Sequence, residues 1–122
     1  MKKNGFTFVE LLVVITIVGV IFAVGVVSFT TITSRSRDAR RKADLESIRQ
    51  ALEMCRSLTG SYPANITSNV TCSVGGVVLL AKTPTDPKGC PAVNYTYSWL
   101  STTTYTLSAP CFEDGSYQVT NP

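Results

Sequence analysis

Few residues of this 122-residue chain are able to take part in chemistry, and their types narrow it quickly. There is no histidine, so there is neither an imidazole base nor a histidine metal ligand. Glu10 sits near the start of a long apolar run, where an ionised carboxylate costs about 2.5 kcal/mol or more if it reaches the centre of a membrane. Carboxylates within membrane spans are rare and usually paired. There are four cysteines, Cys55, Cys72, Cys90 and Cys111. None forms a C-x-x-C pair, so zinc and thioredoxin-type readings fit poorly. An even number of cysteines in a small, polar, loop-rich region suits an oxidising compartment and two disulfides. Sequence leaves three pairings open. The preferred one joins Cys55 to Cys72, stapling a helix end to the loop after it, and Cys90 to Cys111, tying a turn to a later strand. Asp86, Glu113 and Asp114 are the only acids after Glu53. Three acids on two turns, with loop carbonyls, make a candidate calcium site, but their spacing fits no definite calcium motif. Turn formation is the simpler use for them. Nothing suggests nucleophilic catalysis, so an enzyme is not expected, and calcium is the one cofactor considered.

These residues need elements to position them. No charge occurs between Leu11 and Ser34. About 24 helical residues span ~36 Å, enough to cross a bilayer core of ~30 Å with some tilt. A signal-anchor helix is the plain reading of this segment. A secretory signal peptide fits less well, because the run is long and no A-x-A-type site ends it. From Ser34 to Leu58 the pattern continues as helix. Leu45, Ile48, Leu52 and Cys55 form one stripe, widened by Ala51, Met54 and Leu58. Glu46–Arg49 and Glu53–Arg56 are i,i+3 pairs, each worth about 0.2–0.5 kcal/mol. Gly60 is a C-cap signal, with Pro63 beyond it. The basic cluster Arg35, Arg37, Arg40, Arg41 and Lys42 has three readings. It is a solvated face, a set of partners for acids on a neighbouring copy, or a contact for lipid phosphates or DNA. A net charge of +3 argues against a dedicated nucleic-acid binder.

Charged residues make up 16% of the chain, below the roughly 25% usual in globular domains, because apolar residues crowd the N-terminal segment. Beyond Gly60 the chain turns polar. Residues 65–76 read as loop, and Val77 to Ala81 as a strand or a turn of helix. Pro84 to Gly89 is turn chemistry. Asn94 to Leu100 and Tyr105 to Ala109 alternate as two antiparallel strands joined at residues 101–104. Glu113 to Ser116 turns into a third strand, Tyr117 to Thr120. Three strands need a partner face, which the 45–58 stripe supplies. The expected fold is α+β: a long helix, transmembrane in its first half, packed on a small antiparallel head.

The segment K-K-N-G-F-T-F-V-E-L-L-V-V-I resembles the class III signal, or prepilin-type N-methylation site, of bacterial type IV pilins and type II secretion pseudopilins. The helix S-R-D-A-R-R-K-A-D-L-E-S-I-R-Q-A-L-E-M-C-R and the head's T-P-T-D-P-K-G, Y-x-Y and Y-T-L-S-A segments are also similar to that family. The resemblance implies a pilin fold and a division of the chain. Residues 1–5 are a cytoplasmic leader. Residues 6–59 are a long helix, with 6–32 in the membrane or filament core and 33–59 amphipathic. Residues 60–122 are the head. It implies cleavage between Gly5 and Phe6 by the prepilin peptidase, methylation of Phe6, and an assembly role for Glu10. The implied partners are further copies of the chain in a helical filament, that peptidase, an inner-membrane platform, an assembly ATPase, and membrane lipid before assembly. The implied location is the bacterial inner membrane, head outside the cytoplasm, then a surface or periplasmic filament. The alternative is a minor or competence-type pilin whose head binds DNA, a surface or a secreted substrate. Two features depart from the family. Val27 stands where relatives commonly carry proline, leaving Gly19 and Gly25 as the weak points of the helix. The flanking charge is also heavier on the C-terminal side of the span than at Lys2 and Lys3, which by count alone would put the head inside.

Overall fold

The computed structural model describes residues 5–89 and 94–121, with Val27 described by its backbone alone. The chain divides into two units, Met1–Ser34 and Arg35–Pro122. One helix, α1 (Phe8–Thr59), contributes to both. No proline interrupts it; the first in the chain is Pro63. The helix is unbroken at Val27, where a proline would have removed a backbone hydrogen bond.

In the first unit α1 is rich in Val, Ile and Thr, which lose side-chain freedom in helices and have modest helix propensity in water. A bilayer reverses that preference, because every backbone polar group there must be satisfied within the segment. The hydroxyls follow the same rule: Thr16 donates to the Val13 carbonyl, Thr33 to Phe29 and Ser34 to Thr31, at 2.8–2.9 Å. The apolar stretch is long and apolar enough to cross a membrane, and none of its described residues is buried.

In the second unit the expected stripe forms the core. Leu45, Ile48, Leu52 and Cys55 are fully buried, and Ala51 is nearly so. Met54 and Leu58, expected to widen the stripe, are 55% and 61% exposed. The opposing layer is a three-stranded antiparallel sheet in the order β3 (Thr96–Ser101), β4 (Thr104–Ser108), β5 (Gln118–Thr120). Tyr105 and Leu107, two apart on β4, face the helix. Tyr97 and Val119 flank Leu107 across the two strand pairings. The expected strands are thus present within two residues of their ends.

The segment 65–76, read as loop, contains β1 (Val70–Thr71), paired with β2 (Val78–Leu80). Two residues carry too little alternation to be seen in sequence. Their pairing buries Val70 and sets Cys72 beside the helix. The disulfide Cys55–Cys72 then joins α1 to this ribbon with a Cα separation of 5.3 Å. In the other preferred pair, Cys90 lies outside the described residues. Gly60 ends the helix as expected, with φ +77° and its N–H donating to the Arg56 carbonyl at 2.8 Å.

Candidate processing and assembly site

The residues around the apolar segment's start form a local motif. The hydroxyl of Thr7 accepts the Glu10 N–H at 3.2 Å and donates to Glu10 Oε2 at 2.8 Å. The same carboxylate oxygen accepts the Thr7 N–H at 2.8 Å. This is a capping box, with Thr7 as N-cap and Glu10 three residues on, two otherwise unpaired helix donors satisfied reciprocally. The Thr7 carbonyl accepts from Leu11 N, closing the first turn. Glu10 therefore already has a use within a single chain, stabilising the helix start. Its sequence signature is T-x-x-E before an apolar run.

Just before this box lies the Gly5–Phe6 peptide. Phe6 is 84% exposed, and Gly5 is exposed too. A Cβ built on Gly5 meets nothing within 4 Å, and its φ is not in the left-handed region. Among the described residues nothing crowds that position.

The head gathers its charges around arginines. Arg41 is fully buried. Its Nε and Nη2 donate to the two carboxylate oxygens of Asp86 at 2.7 and 3.1 Å, and its Nη1 to Asp38 at 2.7 Å. Arg37 grips Glu113 with two bonds of 2.6 and 2.7 Å. Asp38 also accepts the backbone N–H groups of Glu113 and Asp114, and Asp86 those of Lys88 and Gly89. The Arg37 guanidinium holds the Glu113 carboxyl down to about 2. Arg41 and backbone N–H groups hold Asp86 and Asp38 below the usual carboxylate range against the opposing effect of burial.

This arrangement bears on two of the readings above. The basic cluster is not simply a solvated face, since Arg41 is buried and both Arg37 and Arg41 are neutralised within the chain. A signal existed: Arg41 stands one turn ahead of Leu45 on the buried stripe. The calcium candidates also part. Asp86 and Glu113 converge, but on guanidinium groups, and Asp114 meets Asp38 through its backbone alone. Among the described residues no group of three His, Cys, Asp or Glu is placed to hold a metal.

Of the two expected helix pairs, Glu46–Arg49 forms at 3.2 Å. Glu53 and Arg56 instead share the Tyr62 hydroxyl, which donates to Glu53 at 2.9 Å and accepts from Arg56 at 3.1 Å. The Tyr95 hydroxyl donates to Asp44 at 2.7 Å, and burial raises its pKa. These bonds lock the helix's polar flank to the loop and sheet.

Comparison with known proteins finds likeness at the N-terminus and along much of the chain. The prokaryotic N-terminal methylation motif matches residues 1–26. The chain is 29% identical over 104 residues to the type IV major fimbrial protein FimA of Dichelobacter nodosus. That match covers 82% of this chain and 66% of the relative, a little under two thirds of its length. No solved structure matches the chain.

Proposed function

We propose, from the type IV pilin family that the methylation motif and the fimbrial relative support, that the chain is a structural subunit of an extracellular filament rather than an enzyme. In this reading the precursor sits in the inner membrane through residues 6–32, with its head outside the cytoplasm. A peptidase removes residues 1–5 and Phe6 is methylated. The platform and its ATPase then move the subunit into a polymer of its own kind.

The observation that carries the reading is the order of features at the N-terminus. An exposed peptide with a sterically unneeded glycine precedes a capped helix start, and that helix has an apolar surface with no partner among the described residues. Such a surface is stable only in lipid or against other apolar helices. Glu10 supports it further. Cleavage before Phe6 creates a cationic amine four residues away in sequence, and in a bundle of parallel copies the Glu10 of a neighbour supplies its counter-charge. A buried ion pair is weak evidence for stability, and its best-attested use is to fix register.

Mass spectrometry of the protein isolated from its own cells tests the processing step. The expected N-terminus is a methylated Phe6. Retention of residues 1–5 in filament-borne protein would refute it. Filament yield from Glu10→Leu tests the register role, which fails if yield matches that of the unaltered chain. The DNA alternative loses support from the head's internal ion pairs, because Arg37 and Arg41 are already engaged with acids of their own chain.

A further inference from the structure

Beside the Arg41 cluster lies a second, smaller feature that the filament role leaves unused. A cavity of about 220 Å³ is lined by Arg35, Asp38, Ala39, Lys42, Phe112 and Asp114. Its charges are of two kinds. Asp38 is spent: Arg41 and two backbone N–H groups occupy its oxygens. Arg35 and Asp114, by contrast, are exposed and have no side-chain bond or ion pair among the described residues. Lys42 is held in place by aromatic rings, its Nζ 5.5 Å from the centroids of both Phe112 and Tyr117. The cavity thus offers two cations, one unspent carboxylate and an aromatic wall.

Its place in the chain narrows the ligand. Arg35 follows Ile32, the last large apolar residue of the span, by three positions, so it stands at headgroup depth when that span is in a bilayer. We propose that this cavity holds the phosphoethanolamine headgroup of a membrane phospholipid while the subunit is stored in the membrane, an inference that rests on the membrane-held stage of the function above. Arg35 and Lys42 take the phosphate, Arg35 through its planar fork of donors and Lys42 as a point charge. Asp114 accepts hydrogen bonds from the primary ammonium. A glycerol headgroup brings no cation to Asp114. A choline headgroup brings one that has no N–H to donate. The site therefore favours ethanolamine over both, and it gives the outward-facing basic flank of this span a use other than orientation.

The test uses the full chain reconstituted into phosphatidylcholine vesicles with an equal admixture of phosphatidylethanolamine or phosphatidylglycerol. Flotation reports insertion. Mild detergent extraction followed by mass spectrometry of co-purifying lipid reports the headgroup. The expected result is enrichment of phosphatidylethanolamine over both other lipids. Arg35→Gln should lower it about fivefold, the upper end for one exposed ion pair. Asp114→Asn should erase the preference over phosphatidylglycerol while leaving flotation and the tyrosine near-UV spectrum unchanged. A chain that floats without preferring phosphatidylethanolamine, or an Asp114→Asn variant that keeps the preference, overturns the proposal. A chain that does not float overturns the membrane-held stage itself.

Discussion

Replacing Arg41 by methionine should be the most damaging conservative change in the head. The side chain is fully buried, and so are the two carboxylates it serves, Asp86 completely and Asp38 to within a few per cent. Methionine fills much of the volume but leaves both acids without their counter-charge. Removing one partner of a buried pair costs about 3–5 kcal/mol, most of it the desolvation of the charge left behind. A domain of this size is stable by only about 5–10 kcal/mol. One kcal/mol moves the midpoint of a small domain by about 4–8 °C, so the variant should melt at least about 12 °C lower.

The assay is thermal unfolding of the detergent-solubilised full chain, followed by near-UV circular dichroism. All five tyrosines and the single tryptophan lie beyond Gly60, so the signal reports the head while the apolar helix stays in the micelle. The second arm separates charge from packing. Asp86→Asn keeps an acceptor for the amides of Lys88 and Gly89 but removes the charge. On the Arg41→Met background it should restore about 1 kcal/mol or more, a coupling typical of contacting residues. If Asp86→Asn instead adds to the loss on that background, or if Arg41→Met melts within a few degrees of the unaltered chain, the ion-pair account is wrong.

Acid should loosen the same region. Glu113, Asp86 and Asp38 have folded-state pKa values below their unfolded ones, so their contribution is present above about pH 4.5 and is lost as pH falls toward 2. Melts at pH 7, 4 and 2.5 should show most of the decline below pH 4.5, and Glu113→Gln should flatten part of it. Breaking the Cys55–Cys72 disulfide with paired serines should cost about 3 kcal/mol, as expected for a closed loop of this length, read by urea unfolding. Gly60→Ala should cost about 1–2 kcal/mol in the same experiment, because φ is +77° and alanine pays for the left-handed conformation where glycine does not.

Much of the fold was legible because its signals are local. The 45–55 stripe repeats at helical spacing, Gly60 with Pro63 marks the helix end, and the alternation Y-T-Y-S-W and Y-T-L-S marks strands. What escaped depends on partners distant in sequence. Arg41 finds Asp86 45 positions away, and Arg37 finds Glu113 76 away. No spacing rule links such residues, so nothing within the basic run itself pairs Arg41 or Arg37 with its acid. The acids near it are, in sequence, turn formers or weak calcium candidates for the same reason: a carboxylate on a turn looks the same whether its cation is calcium or arginine. Strand β1 escaped because two residues are too few to show a period. The Thr7–Glu10 box is the exception, a local signal of the type T-x-x-E that spacing alone carries.

That box changes what an assembly role for Glu10 requires. An unpaired carboxylate at the start of an apolar helix would be driven strongly toward any cation, and pairing with a neighbour's amine would look like a large source of binding energy. In the single chain, however, Glu10 already accepts both the N–H and the hydroxyl of Thr7. Pairing with an amine across subunits then exchanges, or shares, bonds that already exist, and the net gain is smaller than the bare charge suggests. The apolar surface of the helix supplies the attraction, being extensive and uncovered, but such a surface is tolerant of sliding by a turn. A carboxylate with one well-placed cation is not. In the proposed filament the division of labour runs by residue type: Val, Ile, Leu and Phe of the helix give affinity without register, and Glu10 gives register with little affinity. Thr7→Val separates the two. It weakens the cap, by about 1 kcal/mol, yet leaves the charge of Glu10 in place, so filaments should still form with their register intact. Glu10→Gln keeps an acceptor for Thr7 and removes the charge, and should lose register. Equal filament order in both variants would mean that capping, and not charge, is what Glu10 contributes.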